Sequence, residues 1–146
     1  MATKSTETLM QEVIDREAIR NLPLRYCHCV WQKDLDGYAN LFTEDGAFST
    51  NDPTLPRAQG RAELREMIGS QLDAVKPRPF IHNHVVELLG PDQAKGTCYV
   101  EVRLLREGKK WALTGWYNDE YAKVNGEWKF KSRQITTDTF GPVGES

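Results

Sequence analysis

The chain has 146 residues, with 19 Lys+Arg against 21 Asp+Glu, a formal net charge of -2 and a pI near 5.9, so it lacks the basic excess of a nucleic-acid binder. Hydrophobic residues at 39%, including 10% aromatics, supply the core of one domain, and no apolar run reaches the roughly 20 residues that span a bilayer. Met1–Thr8 carries no signal-like apolar stretch, and Cys27, Cys29 and Cys98 lack zinc spacing. The expectation is a single cytoplasmic domain over 1–146, with reduced thiols and an ordered core from about 11 to 139.

From Met10 to Trp31, Val13, Ile14, Ile19, Leu22, Tyr26, Cys29 and Val30 follow a helical rhythm. Pro23 removes an amide donor and clashes with the preceding turn, which predicts a bend or break near Asn21-Leu22, with Leu24–Trp31 as a second helical piece. Asp36 is expected to cap a short helix carrying Tyr38, Leu41 and Phe42. Thr43–Gly46 reads as the turn that stops it, and Ala47–Thr50 as a short strand. Asn51–Pro56 is a loop, and Gly60–Val75 an amphipathic helix ended by Pro77 and Pro79.

The second half alternates instead. Phe80–Leu89, Ala94–Leu105, Lys110–Lys123 and Glu127–Thr136 read as strands, separated by Gly90-Pro91-Asp92, Glu107-Gly108-Lys109 and Asn125-Gly126. The last is the strongest hairpin signal, since both residues accept positive φ. Three helices followed by consecutive strands imply an α+β fold, a cone-shaped curved antiparallel sheet wrapped around the helices. The open end of such a cone suits an apolar pocket with a few polar groups. Tyr26 stands out there, because a buried phenol needs a hydrogen-bond partner or a cavity.

Arg25-Tyr26-Cys27, Lys33-Asp34 and Leu41–Phe48 resemble the opening of nuclear transport factor 2-like (cystatin-like) domains, especially the SnoaL-like branch. Gly60–Leu64, Asn83–Leu88, Gly115–Tyr121, Asn125–Phe130 and Arg133 extend the likeness over about residues 12–138. The resemblance implies a homodimer packed through the sheet and no cofactor. It implies lyase or isomerase chemistry such as ketosteroid isomerisation, dehydration or dehydrochlorination. Fold alone does not choose among these.

Carried onto this chain, the isomerase pattern puts its donor Tyr on Tyr26 and its base on Thr50, or on Asp52 if the loop shifts by two. Its second donor falls near Tyr117. The Asp–His dyad of the dehydratases and the dehydrochlorinase falls on Trp31 and Pro79, with Asp34 and His82 as the nearby substitutes. His82, His84 and Glu87 raise a metal reading, but Glu87 lies on the opposite face of the strand from both histidines, so no metal is expected. His84 is read toward the dimer side and His82 as a pocket-rim or solvent group. Cys27-His28-Cys29 spreads over roughly 200° of helix and cannot converge on one ion. Arg133 is read either as an anion or carbonyl donor in the pocket or as a surface ion pair.

The resulting expectation is a lyase or isomerase acting on a small hydrophobic, oxygen-bearing molecule. Tyr26 donates to the ligand oxygen, and His82 or Asp52 moves the proton. Trp31, Phe42, Phe48 and Trp116 line the walls, with Tyr117 and Arg133 beside them. The alternatives are a non-catalytic binder or scaffold, or a protein-interaction module with an empty pocket.

Overall fold

The computed structural model describes residues 3–144. Helix α1 (Thr6–Gln32) starts at Ser5, whose side chain accepts from the Thr8 amide, and ends at Lys33, which takes up a left-handed conformation (φ 59°). Its first turns are helical rather than frayed. The expected break is also absent: Pro23 lies inside a continuous helix. An interior proline costs about 3 kcal/mol, but Ile19 and Leu22 before it and Tyr26, Cys27 and Val30 after it are all buried, so tertiary packing holds both halves in line. Val13 and Ile14 are exposed, and Asp15 takes the buried position instead.

Helix α2 (Leu35–Asn40) is capped by Asp34, not Asp36, since Asp34 Oδ1 accepts from the Gly37 amide at 2.9 Å. The expected turn at Thr43–Gly46 is instead part of strand β1 (Phe42–Thr50), where the register shifts between Phe42 and Ala47. β2 (Ala58–Gln59) and α3 (Arg61–Ala74) follow. Four long strands complete the chain: β3 (Arg78–Leu88), β4 (Gln93–Arg106), β5 (Lys109–Val124) and β6 (Glu127–Pro142).

The six strands form one curved, unclosed sheet in the order β2-β1-β6-β5-β4-β3. All neighbours are antiparallel except β1 and β6, which run parallel. The β4–β5 and β5–β6 hairpins turn on Glu107-Gly108 (φ 53° and 74°) and Asn125-Gly126 (φ 51° and 80°). Positive φ at both central residues matches the right-handed twist of the paired strands. The inner face of the sheet, with Cys98, Val100, Leu113, Tyr117, Tyr121, Phe130 and Ile135, packs with Ile19, Leu22, Tyr26 and Val30 of α1 and with Leu64, Ile68 and Leu72 of α3 in one core. No helix among the described residues is long and apolar enough to cross a membrane.

Candidate functional site

Strict alternation along β5 brings Tyr117, Asp119 and Tyr121 to the inner face, at 3%, 2% and 1% exposure. A carboxylate in such a place needs a partner, and β6 provides it. Arg133 is fully buried, with Nε donating to Asp119 Oδ1 at 2.8 Å and Nη2 to Asp119 Oδ2 at 3.1 Å. Nη2 also lies 3.1 Å from Cys98 Sγ. Burial works against the Arg133 charge, but the Asp119 carboxylate outweighs it and holds the guanidinium protonated.

The remaining nitrogen, Arg133 Nη1, is buried with no hydrogen-bond partner. Around the guanidinium stand three rings, with Cζ at 3.6 Å from the Tyr117 centroid, 4.4 Å from Tyr26 and 4.5 Å from Phe130. Desolvated contacts of this type contribute about 2 kcal/mol or more. Tyr26 and Tyr38 hydroxyls meet at 3.0 Å. Phe42 and Phe48 complete the aromatic packing, at 6.4 Å from Tyr26 and 6.3 Å from Tyr117. Burial raises the pKa of Tyr26, Tyr38 and Tyr117, so all three stay protonated as donors.

On the far side of Asp119, the Tyr121 hydroxyl donates to Asp119 Oδ2 at 3.1 Å and meets His84 Nε2 at 2.8 Å. An ionised carboxylate only accepts, so the Tyr121 proton points at Asp119 and His84 must be the donor through Nε2–H. Gly96 makes room for this line: a Cβ there would stand 2.7 Å from the Val85 carbonyl and 3.1 Å from the Tyr121 hydroxyl.

The structure thus gathers Tyr26, Phe42, Phe48, Tyr117 and Arg133 in one interior. It places the other expected site residues elsewhere. His82 pairs across from Tyr99 on the outer face, exposed and 3.8 Å from Glu101. Asn83 (φ 46°) forms a bulge between His82 and Val85, so equal parity does not give equal facing. His84, expected toward the dimer side, is the histidine that turns inward. The same bulge puts Glu87 on the outer face with His82, not opposite both histidines, while His84 faces Tyr121, so the three do not converge on one ion.

Asp52 accepts from the amide and hydroxyl of Thr54, at 2.9 and 2.7 Å, and its carboxylate holds a loop turn. The Thr54 hydroxyl, with the Thr54 amide, lowers its pKa. Trp116 alternates with Tyr117 and so belongs to the opposite face of β5. Trp31 is 42% exposed and packs on Phe80 and Arg78 at the sheet edge. Its indole donates to the Pro79 carbonyl at 2.9 Å. The two positions of the expected dyad therefore do meet, but as a structural contact.

The expected apolar hollow is occupied by the aromatic rings themselves. A groove of about 1180 Å³ runs instead over the outer face, past Lys95, Thr97, Asn118, Glu120, Ser132 and Gln134. Asp119, Tyr121, Cys98 and His84 were not singled out as site residues from sequence. The run Tyr117-x-Asp119-x-Tyr121 carried the available signal, since an acid on an aromatic strand face demands a buried cation.

A profile for SnoaL-like domains matches residues 11–134. Among solved structures, a protein of unknown function from Mycobacterium tuberculosis is 29% identical, with a TM-score of 0.78 and coverage of 89% of this chain and 75% of that one. A protein from Novosphingobium aromaticivorans, provisionally named a scytalone dehydratase, is 21% identical, with a TM-score of 0.82 and coverage of 94% and 93%. A hexachlorocyclohexane dehydrochlorinase from Novosphingobium barchaimii is 17% identical, with a TM-score of 0.82 and coverage of 92% and 93%. No curated protein matches. With the profile running from α1 into β6, over three helices and a curved sheet in the expected order, the chain belongs to the SnoaL-like domain family.

Proposed function

We propose that the protein is a lyase or isomerase acting on a small hydrophobic, oxygen-bearing molecule by side-chain chemistry. Arg133 Nη1 and the Tyr26 hydroxyl serve as the donors to its oxygen. The observation that carries this reading is the orphaned Nη1, a charged N–H held inside a wall of aromatic rings. A buried donor without a partner costs about 1–3 kcal/mol, and a ligand oxygen that accepts from it recovers that loss. Donors fixed beforehand at developing negative charge are what stabilise enolate-like transition states. Because the rings fill the interior, the ligand enters by displacing them.

The test is turnover of a panel of cyclic enones and β-hydroxy ketones in deuterated water, read by mass spectrometry as water loss or deuterium gain. Tyr26→Phe is expected to lower the rate at least tenfold, and an unchanged rate removes Tyr26 from the role. The binding-only reading has its own observation, the Trp31–Pro79 contact at the two positions onto which the family resemblance carries the dehydratase dyad. It is favoured if neutral 2-naphthol binds but no member of the panel turns over between pH 5 and 9.

The protein is also proposed to act as a homodimer through the outer face of the sheet. Phe80 and Tyr99 are exposed there at 41% and 47%, and their burial favours association. Sedimentation equilibrium is expected to show a dimer that Tyr99→Glu dissociates; a monomer at all concentrations rejects it.

A further inference from the structure

The interior holds one charge balance that the proposed site disturbs. Arg133 and Asp119 form a closed pair of zero net charge, both fully enclosed. A ligand oxygen carrying negative charge on Nη1 would leave that cluster at net -1 in a medium where an uncompensated charge costs several kcal/mol. The group able to restore neutrality is already wired in. His84 Nε2 meets Tyr121, Tyr121 meets Asp119, and Asp119 holds Arg133. His84 is only half-buried, so a proton from solvent reaches its free Nδ1.

The geometry points to His84 as the counter-charge of the Arg133 site: binding of an anionic ligand, a carboxylate or an enolate, is coupled to uptake of one proton on His84 Nδ1. This rests on the Arg133 reading above and names its ligand class. His84 touches no ligand and acts through Tyr121 and Asp119, so it is a positioning residue. The groups acting on it are Tyr121 and Asp119 of β5, Arg133 of β6, and Arg20 of α1, while β4 contributes Cys98 at the Asp119 end and uncharged Gly96 beside Tyr121. In the free protein, burial, Arg133 and Arg20 hold the imidazole below its ordinary value, against the opposite pull of Asp119. A negative charge on Nη1 screens Arg133 and reverses the balance.

The experiment is calorimetric titration with 2-naphthoate, ionised throughout, from pH 6 to 8 in two buffers of different ionisation heat. The wild type is expected to take up as much as one proton per naphthoate, its affinity rising by up to about tenfold per pH unit toward acid. His84→Gln keeps an amide donor toward Tyr121 but cannot titrate, so uptake is expected to vanish and the pH dependence to flatten. Tyr121→Phe, which breaks the line, is expected to reduce both. In NMR the His84 imidazole signal, identified by its loss in His84→Gln, is expected to titrate at higher pH when naphthoate is bound.

Equal uptake in His84→Gln, or none in the wild type, overturns the coupling. If neutral 2-naphthol still binds in a Tyr26-dependent manner, the Arg133 reading survives that failure. Absence of binding by naphthol and naphthoate alike overturns both.

Discussion

Arg133 is the residue on which the interior is organised. A lysine there would offer a point charge, whereas the planar fork reaches both Asp119 oxygens and still leaves a third nitrogen free. Removing one partner strands the other charge. Arg133→Met or Asp119→Leu is therefore expected to lower stability by about 3–5 kcal/mol each. The double variant should lose much less than the sum, as read from urea midpoints at constant slope. Additive losses would mean the two side chains are not a unit. The inward facing of Arg133 and Tyr26 was legible in the sequence as one open alternative and one clear one. His84 was misread, because the strand period was counted on from His82 through Asn83, where a positive φ inserts an extra residue. Such a bulge depends on the cross-strand register, which no local pattern displays.

At the level of elements, turn chemistry was the readable part. Asn125-Gly126 announced a hairpin and forms one. Glu107-Gly108 makes the same kind of turn with a residue poorly suited to it, since Glu107 sits at φ 53°. Asparagine tolerates that conformation better than glutamate. Glu107→Asn is expected to raise stability by about 0.5–1 kcal/mol, seen as a higher thermal midpoint with unchanged circular dichroism; a lower midpoint would refute the turn assignment. Helix continuity through Pro23 was not readable, because local propensity opposes it and only the packing on either side decides. Thr43–Gly46 has turn composition, and β1 bulges there: Phe42 and Ala47 stand opposite Phe130 and Ser132, with the four residues between them facing a single residue of β6.

For the molecule as a whole, Asp15 fastens the long helix to the last hairpin. Its Oδ1 lies 2.9 Å from Trp128 Nε1, 3.1 Å from Gln11 Nε2 and 3.2 Å from Lys123 Nζ. Burial pushes the carboxyl pKa up, but the bonds from Trp128, Gln11 and Lys123 outweigh it, and the net shift is downward from 3.8. A group depressed in this way stabilises the fold above its unfolded value and loses that contribution as pH falls through the folded one. Asp15→Asn is expected to lose about 1–3 kcal/mol at neutral pH. The gap should narrow below about pH 3.8, checked by denaturation at pH 7, 4 and 2; a constant gap would show that the charge is irrelevant. The Trp31–Pro79 contact bears on how the molecule meets its own kind. β3 is a terminal strand of an unclosed sheet, the sort of border that recruits stray chains. Pro79 has no amide hydrogen to offer there, and its carbonyl already holds an indole. An aspartate in place of Trp31 and a histidine in place of Pro79 would therefore supply the residue types of a proton-transfer pair while unsealing a seam open to fibril-like growth.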